Sequence, residues 1–183
     1  MTMLLTSARI LKMLARRVGQ AAAWFVVLLV LAVVIDVVTR SFVVLGSTKL
    51  QDLQWHFHAA LFLFSLGYAY VEGEHVRIDV LHARFGPKTA AAIEFLGALL
   101  FLVPFCVIVL YYGSTFVSRS FMLDEGSASL TGLPHRWIIK SALLAGFLML
   151  LIAALGVILE SIAVMLGATP ETDREPHHEE VGL

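Results

Sequence analysis

The sequence predicts an all-α membrane protein with four transmembrane helices. Of its 183 residues 59% are hydrophobic and 15% charged, with a mean hydropathy of +0.86, whereas soluble domains are about half apolar and about a quarter charged. The apolar residues form four blocks, each close to the roughly 20 residues that a helix needs to cross a core of about 30 Å. Lipid cannot satisfy unpaired backbone groups and four spans cannot close a barrel, so helices are required. They are predicted at 20–38, 53–71, 88–118 and 138–166.

The first block follows a basic N-terminal tail, an arrangement also found in signal peptides. However, the block is longer than the roughly 7–15 apolar residues of a signal peptide, and it ends at Asp36 and Arg40 without a clear small-residue cleavage site. We therefore predict a retained helix. Asp36 and Arg40 are four residues apart, so they can pair on one helix face.

The connection between the second and third blocks mixes apolar residues with charged ones. This mixture predicts a short interfacial segment that lies against the cytoplasmic leaflet. In the third block, Pro87 is expected in the first helical turn, where its missing N–H is not needed. Pro104 is expected to kink the helix inside the span.

Small residues give the fourth block one smooth side that suits close helix contact. They are Gly146, Ala153, Ala154 and Gly156, and Gly67 and Gly97 are expected to act in the same way in other helices. The membrane domain is therefore predicted to cover residues 1–168. The remaining residues, 169–183, are acidic and are predicted to form a disordered cytoplasmic tail.

The distribution of basic residues predicts that both termini lie in the cytoplasm. Basic residues are concentrated in the N-terminal tail and in the second connection: Arg9, Lys12, Arg16, Arg17, Arg77, Arg84 and Lys88. The first and third connections carry fewer and are placed outside.

The predicted spans carry no ionisable side chain near their middle. Asp36, Glu94 and Glu160 all lie within reach of an interface, where pairing and anchoring are the expected roles. A chain of this kind lacks a solute pathway of its own, which indicates a partner subunit rather than an enzyme. The net charge of -1 gives no support for a nucleic-acid partner, and the single Cys106 excludes an intrachain disulfide.

Three histidines near the outer helix ends raise the alternative of a haem site. His56 and His58 are two residues apart and point to different helix faces, and no carboxylate-rich ligand pattern accompanies them or His135. We predict no cofactor, metal or catalytic residue. The alternative function is a four-helix membrane anchor of a quinone- or haem-linked oxidoreductase.

Two polar motifs join the apolar blocks, Gly73–Val80 and Gly132–Trp137. Each has two interpretations, an anchor at the membrane interface or a docking surface for another protein. We predict that docking to a partner subunit or binding protein involves the following residues: Trp55, Gly73, His75, Arg77, Asp79, Arg119, Asp124, Glu125, Pro134, Arg136, Trp137 and Lys140.

With these motifs the chain resembles the small membrane subunit of tripartite ATP-independent periplasmic (TRAP) transporters, the DctQ-like small permease. The markers are Leu53–His56, Gly73–Val80, Arg119–Phe121 and Gly132–Lys140. The resemblance implies a multi-pass subunit of the bacterial inner membrane that scaffolds a large permease subunit. A periplasmic solute-binding protein would deliver an organic acid or similar solute, and a sodium gradient would drive uptake.

The resemblance also implies that the third connection, from Phe121 to Trp137, helps to receive the binding protein. Its small and polar residues predict a loop that is free to adapt. Asp124 and Glu125 are expected to form a negative patch, flanked by positive charge from Arg119, Arg136 and Lys140.

Overall fold

The computed structural model describes residues 1–43, 47–73, 86–129 and 131–168. Within these ranges the regular structure is entirely helical, with no strand. The helices are α1 Thr2–Ala22, α2 Trp24–Val43, α3 Thr48–Glu72, α4 Pro87–Gly97, α5 Val103–Met122 and α6 Trp137–Met165. The predicted interfacial segment from Glu74 onward and the acidic tail at 169–183 lie outside the described residues.

The first two helices form one nearly continuous rod rather than a tail and a helix. Ala23, between them, keeps helical backbone angles, and its N–H donates to Gly19 O at 3.1 Å. The helix expected to begin at residue 20 therefore begins at Thr2. The rod from Thr2 to Phe42 has 41 residues, or about 60 Å at 1.5 Å per residue, which is about twice the thickness of a hydrocarbon core.

Helix α1 is amphipathic, and its buried face explains why it is ordered. Lys12 and a stripe of small residues spaced three and four apart are buried: Ala8, Ala15, Gly19 and Ala22. This spacing places them on one face of the helix. The small side chains allow α3 and α6 to approach closely, so that a Cβ at Gly19 would overlap the side chain of Tyr68.

Helix α3 runs antiparallel to the α1–α2 rod along its length. The Ser47 hydroxyl accepts the Leu50 N–H at 3.4 Å and caps the start of α3, and Gly73 ends it in the left-handed conformation at φ 75°. Beside α2, the rings of Phe25 and Phe64 stack with centroids 6.5 Å apart.

Three helical stretches are long and apolar enough to cross a membrane, namely Thr2–Phe42, Pro87–Met122 and Trp137–Met165. Helix α3 is not among them, because polar residues occupy its first half: Thr48, Lys49, Gln51, Asp52, Gln54, His56 and His58. The four-span topology therefore stays a prediction, as does the cytoplasmic location of both termini.

The third apolar block is interrupted by a π-helical turn. Pro87 occupies the first turn of α4, as predicted, and the π-turn at Ala98–Leu102 separates α4 from α5. Pro104 follows at once. Proline has no N–H to donate, and its ring would clash with the carbonyl four residues earlier in a regular α-helix. A π-turn at that place is a recognised way for a helix to accommodate such a residue.

Helix α6 is the centre of the packing and contacts α1, α3, α4 and α5. The predicted smooth side is confirmed, since all four of its small residues are buried. Gly146 is closest to another backbone, because a Cβ there would lie 2.5 Å from Leu63 O. The same role is confirmed for Gly67, which packs against Met149. It is wrong for Gly97, whose Cβ position meets nothing within 4 Å.

Ion pairs tie the helices together near the end that holds the N-terminus, which we call the terminal end. Lys12 Nζ lies 2.7 Å from Glu160 Oε2 and joins α1 to α6. Arg16 Nε lies 2.7 Å from Glu72 Oε1 and joins α1 to α3. At the opposite end, the predicted pairing of Asp36 with Arg40 is confirmed at 2.9 Å.

Candidate functional site

The loop between α5 and α6 lies at the end opposite the terminal end, and we call this the loop end. Residues near the two ends of the loop are joined by a backbone hydrogen bond, and the first part is also bonded to α5. The Glu125 N–H donates to Ser120 O at 3.0 Å, and the Arg136 N–H donates to Glu125 O at 2.9 Å. The short paired segments make the loop narrow at its base.

A partly buried charge pair closes the same base. Lys140 Nζ contacts Glu125 Oε2 and also lies 3.9 Å from the centroid of the Phe116 ring. The hydrogen bond from Lys140 is the main reason that the pKa of Glu125 is lowered, and the charge of Arg136 adds to it. Only 13% of the Lys140 side chain is exposed. The two charges neutralise each other, so the predicted negative patch reduces to Asp124.

A second anchor comes from Asp52, the fifth residue of α3. Asp52 Oδ2 accepts the Leu133 N–H at 2.9 Å. Asp52 precedes the predicted span 53–71. Its pKa is lowered by this bond first and then by Ser127, with further contributions from His56 and Arg136.

Gly132 explains why the chain can approach Asp52 so closely. A Cβ at Gly132 would overlap both Ser127 and the Asp52 carboxylate. The Ser127 N–H donates to Leu133 O at 3.0 Å, and the hydroxyl groups of Thr48 and Thr131 are 2.7 Å apart. The described part of the loop is therefore fastened to α3, which differs from the adaptable loop that its composition predicts.

Beyond these anchors the loop end presents an exposed surface. Met122 and Leu123 are 81% and 75% exposed, and 79% of the Asp124 side chain is exposed, with His135 Nδ1 3.1 Å from its Oδ1. Both Asp124 and His135 adopt left-handed backbone angles, at φ 43° and φ 58°. We call Phe121, Met122, Leu123, Asp124, Pro134 and His135 the loop-end surface.

The predicted interface residues divide between the two ends of the molecule. Trp55, Arg119, Asp124, Glu125, Pro134, Arg136, Trp137 and Lys140 belong to the helix ends and connection at the loop end. Gly73 caps α3 at the terminal end. His75, Arg77 and Asp79 lie outside the described residues.

Among the interface residues at the loop end, the ring of Trp137 meets Phe121 edge-on, with centroids 5.3 Å apart. Trp55 is exposed on α3. The functional roles of these residues stay predictions.

The histidines considered for haem ligation each have a partner of their own. His56 Nδ1 lies 2.6 Å from Asp52 O, and the ring of His58 meets Trp55 edge-on. His135 pairs with Asp124. Among the described residues no group of three or more His, Cys, Asp or Glu side chains is placed to hold a metal ion.

Asp52 and Ser127 are the site residues that sequence reasoning missed. The quoted motif begins at Leu53, one residue after Asp52, and an acidic residue near the start of a helix is usually explained by the helix dipole. Only the parallel packing of α3 against α6 brings Asp52 to Leu133, 81 residues further along the chain.

Comparison with protein families gives one match. The family model described as tripartite ATP-independent periplasmic transporters, DctQ component, matches residues 29–164. The match begins within α2 and ends just before the end of α6, and it includes the whole loop end. No curated protein and no solved structure was found to match the chain.

Proposed function

The chain belongs to the DctQ component family of tripartite ATP-independent periplasmic transporters, and we propose that it joins a large permease subunit and offers its loop end to a periplasmic solute-binding protein. The observation that carries the docking role is the loop-end surface, which combines exposed apolar side chains with one exposed carboxylate on an anchored base. The family is a transporter component, so the oxidoreductase anchor is not retained.

The arrangement of charge supports a scaffold rather than a solute pathway. Lys12, Arg16 and Asp36 each pair with an opposite charge near an end of the helices. We therefore assign solute and sodium movement to the large subunit. Uptake of an organic acid or a similar solute is proposed from the family resemblance.

The proposed orientation places the loop end in the periplasm and the terminal end in the cytoplasm, in a bacterial inner membrane. In a Cys106→Ser background, Ala128→Cys should react in whole cells with a thiol reagent that cannot cross the inner membrane. Thr89→Cys, which is exposed in the first turn of α4, should react only after the membrane is opened. The reverse labelling pattern would show that the orientation is inverted.

Asp124 should steer the binding protein toward the loop end. Asp124→Lys should weaken binding of the binding protein to nanodiscs that hold both membrane subunits by about tenfold at low salt, because rim charges guide encounter and register. The difference should shrink at high salt, since exposed charges are screened beyond about 10 Å at 0.1 M. Thr89→Lys adds a charge at the terminal end and serves as the control.

Asp124→Asn should fall between the parent and Asp124→Lys. If Asp124→Lys and Thr89→Lys bind as the parent protein does at every salt concentration, the docking role of the loop end is refuted.

A further inference from the structure

We infer that Asp52 is a positioning residue that holds the loop end as a fixed, pre-shaped platform for the binding protein. This inference rests on the proposed function and adds to it a residue that does not itself touch the partner. In this view the loop end already has its bound shape before docking, whereas an adaptable loop would become ordered only on binding.

The side of the platform that faces α3 is held by contacts from two residues near the start of that helix. Asp52 accepts the Leu133 N–H, and Thr48 shares a hydrogen bond with Thr131. Gly132 lies directly against the Asp52 carboxylate and leaves no room for a side chain. These contacts fix the position of the chain just before Pro134 and His135.

The other side of the platform is held by α5 and α6. Glu125 is bound through its backbone to Ser120 and Arg136 and through its side chain to Lys140. Asp124, the residue before Glu125, keeps a left-handed backbone, which is strained for a residue other than glycine and persists only where the surroundings determine it. The exposed carboxylate is thus held between two fixed points.

A platform of this kind changes the energetics of docking. Ordering a loop on binding costs conformational entropy for each side chain that becomes immobilised. A surface that is already ordered avoids this cost, so a small number of weak contacts is enough for a transient complex.

The pH dependence of the anchor follows from the lowered pKa of Asp52. The charged carboxylate accepts the Leu133 N–H, so its contribution is complete above the ordinary value of 3.8 and is lost only as pH falls through the lower folded value. Between pH 5 and 8 the Asp52 carboxylate stays charged, so its titration should not change docking in that range.

The first test locks the loop to α3. The hydroxyl oxygens of Thr48 and Thr131 are 2.7 Å apart, so sulfur atoms at both positions can reach bonding distance with little movement. The double variant Thr48→Cys/Thr131→Cys in a Cys106→Ser background should form a disulfide with diamide. The locked complex in nanodiscs should bind the fluorescently labelled binding protein within about twofold of the reduced form.

The second test removes the anchor and then restores it. Asp52→Asn and Gly132→Ala should each weaken binding of the labelled protein by about tenfold, or about 1.4 kcal/mol, without reducing co-purification with the large subunit. Lys49→Gln, an exposed residue of the same helical turn, is the matched control. Forming the disulfide between positions 48 and 131 in the Asp52→Asn background should restore the affinity, which a general folding defect would not allow.

Three outcomes would overturn the inference. If diamide forms no disulfide in the folded complex, the platform geometry is wrong while the docking role stands. If the disulfide forms and binding is lost until it is reduced, the loop must move to dock. If the disulfide forms but neither Asp52→Asn nor Asp124→Lys changes binding, the loop is not the docking surface and the proposed function fails with the inference.

Discussion

Replacing Lys12 by methionine should release α1 from α6 and lower the free energy of unfolding by about 2–4 kcal/mol, because breaking a buried ion pair leaves one charge without its partner. Only 11% of the Lys12 side chain and 20% of the Glu160 side chain are exposed, at an N···O distance of 2.7 Å. Methionine keeps the apolar stem that packs beside Gly156 and removes the ammonium group. The Glu160 carboxylate then stays partly buried without the Lys12 cation.

Unfolding in detergent, followed by protease access to α1, measures this effect. Arg17→Met is the matched control, because Arg17 is an exposed residue of the same helix. The double variant Lys12→Met/Glu160→Gln should recover most of the lost stability, since neither side chain is then charged. A double variant as unstable as Lys12→Met alone would show that the stability does not come from the ion pair.

Gly146→Leu should separate α3 from α6 and prevent accumulation of folded protein. A Cβ at position 146 would lie 2.5 Å from Leu63 O and 2.8 Å from Leu63 C, and backbone atoms cannot move aside as a side chain can. Overpacking of this kind typically costs about 1–3 kcal/mol, and a clash with backbone should lie at or above the upper end of that range.

Gly97→Leu provides the control for this prediction, because nothing lies within 4 Å of its Cβ position. The two variants place the same side chain in helices of the same membrane domain. Gly97→Leu should elute from a size-exclusion column as the parent does, whereas Gly146→Leu should aggregate. Similar elution of both variants would mean that α3 and α6 do not pack at Gly146.

Composition predicted the apolar helices but not α1. Helices that face lipid are apolar over some 20 residues, and such blocks can be recognised from the sequence alone. Helix α1 buries alanine, glycine and the stem of Lys12, which are not strongly apolar. Its order depends on packing against α3 and α6, and that packing cannot be recognised without the fold.

The third apolar block also shows what the sequence could not predict, in this case the local geometry of one helix. Pro104 predicted a kink inside the span, and the structure has a π-helical turn just before this proline. A proline in the sequence does not by itself indicate a π-turn at Ala98–Leu102, because several local adjustments can accommodate it.

The loop end was predictable in part. The motif from Gly132 to Trp137 singled out this connection, whose docking role stays a prediction, and family membership is confirmed by the match over residues 29–164. The sequence could not show that Glu125 and Lys140 neutralise each other, or that Asp52 holds Leu133. Both results require the three-dimensional positions of residues that are 15 and 81 positions apart in the sequence.

The most direct test of the central claim compares nanodiscs that contain the large permease subunit alone with nanodiscs that also contain this chain. The solute-binding protein proposed as the partner is labelled, and its affinity for both preparations is measured at low salt. We predict that this chain co-purifies with the large subunit and that the binding protein docks at least about tenfold more tightly when this chain is present. Equal affinity for the two preparations would contradict the account.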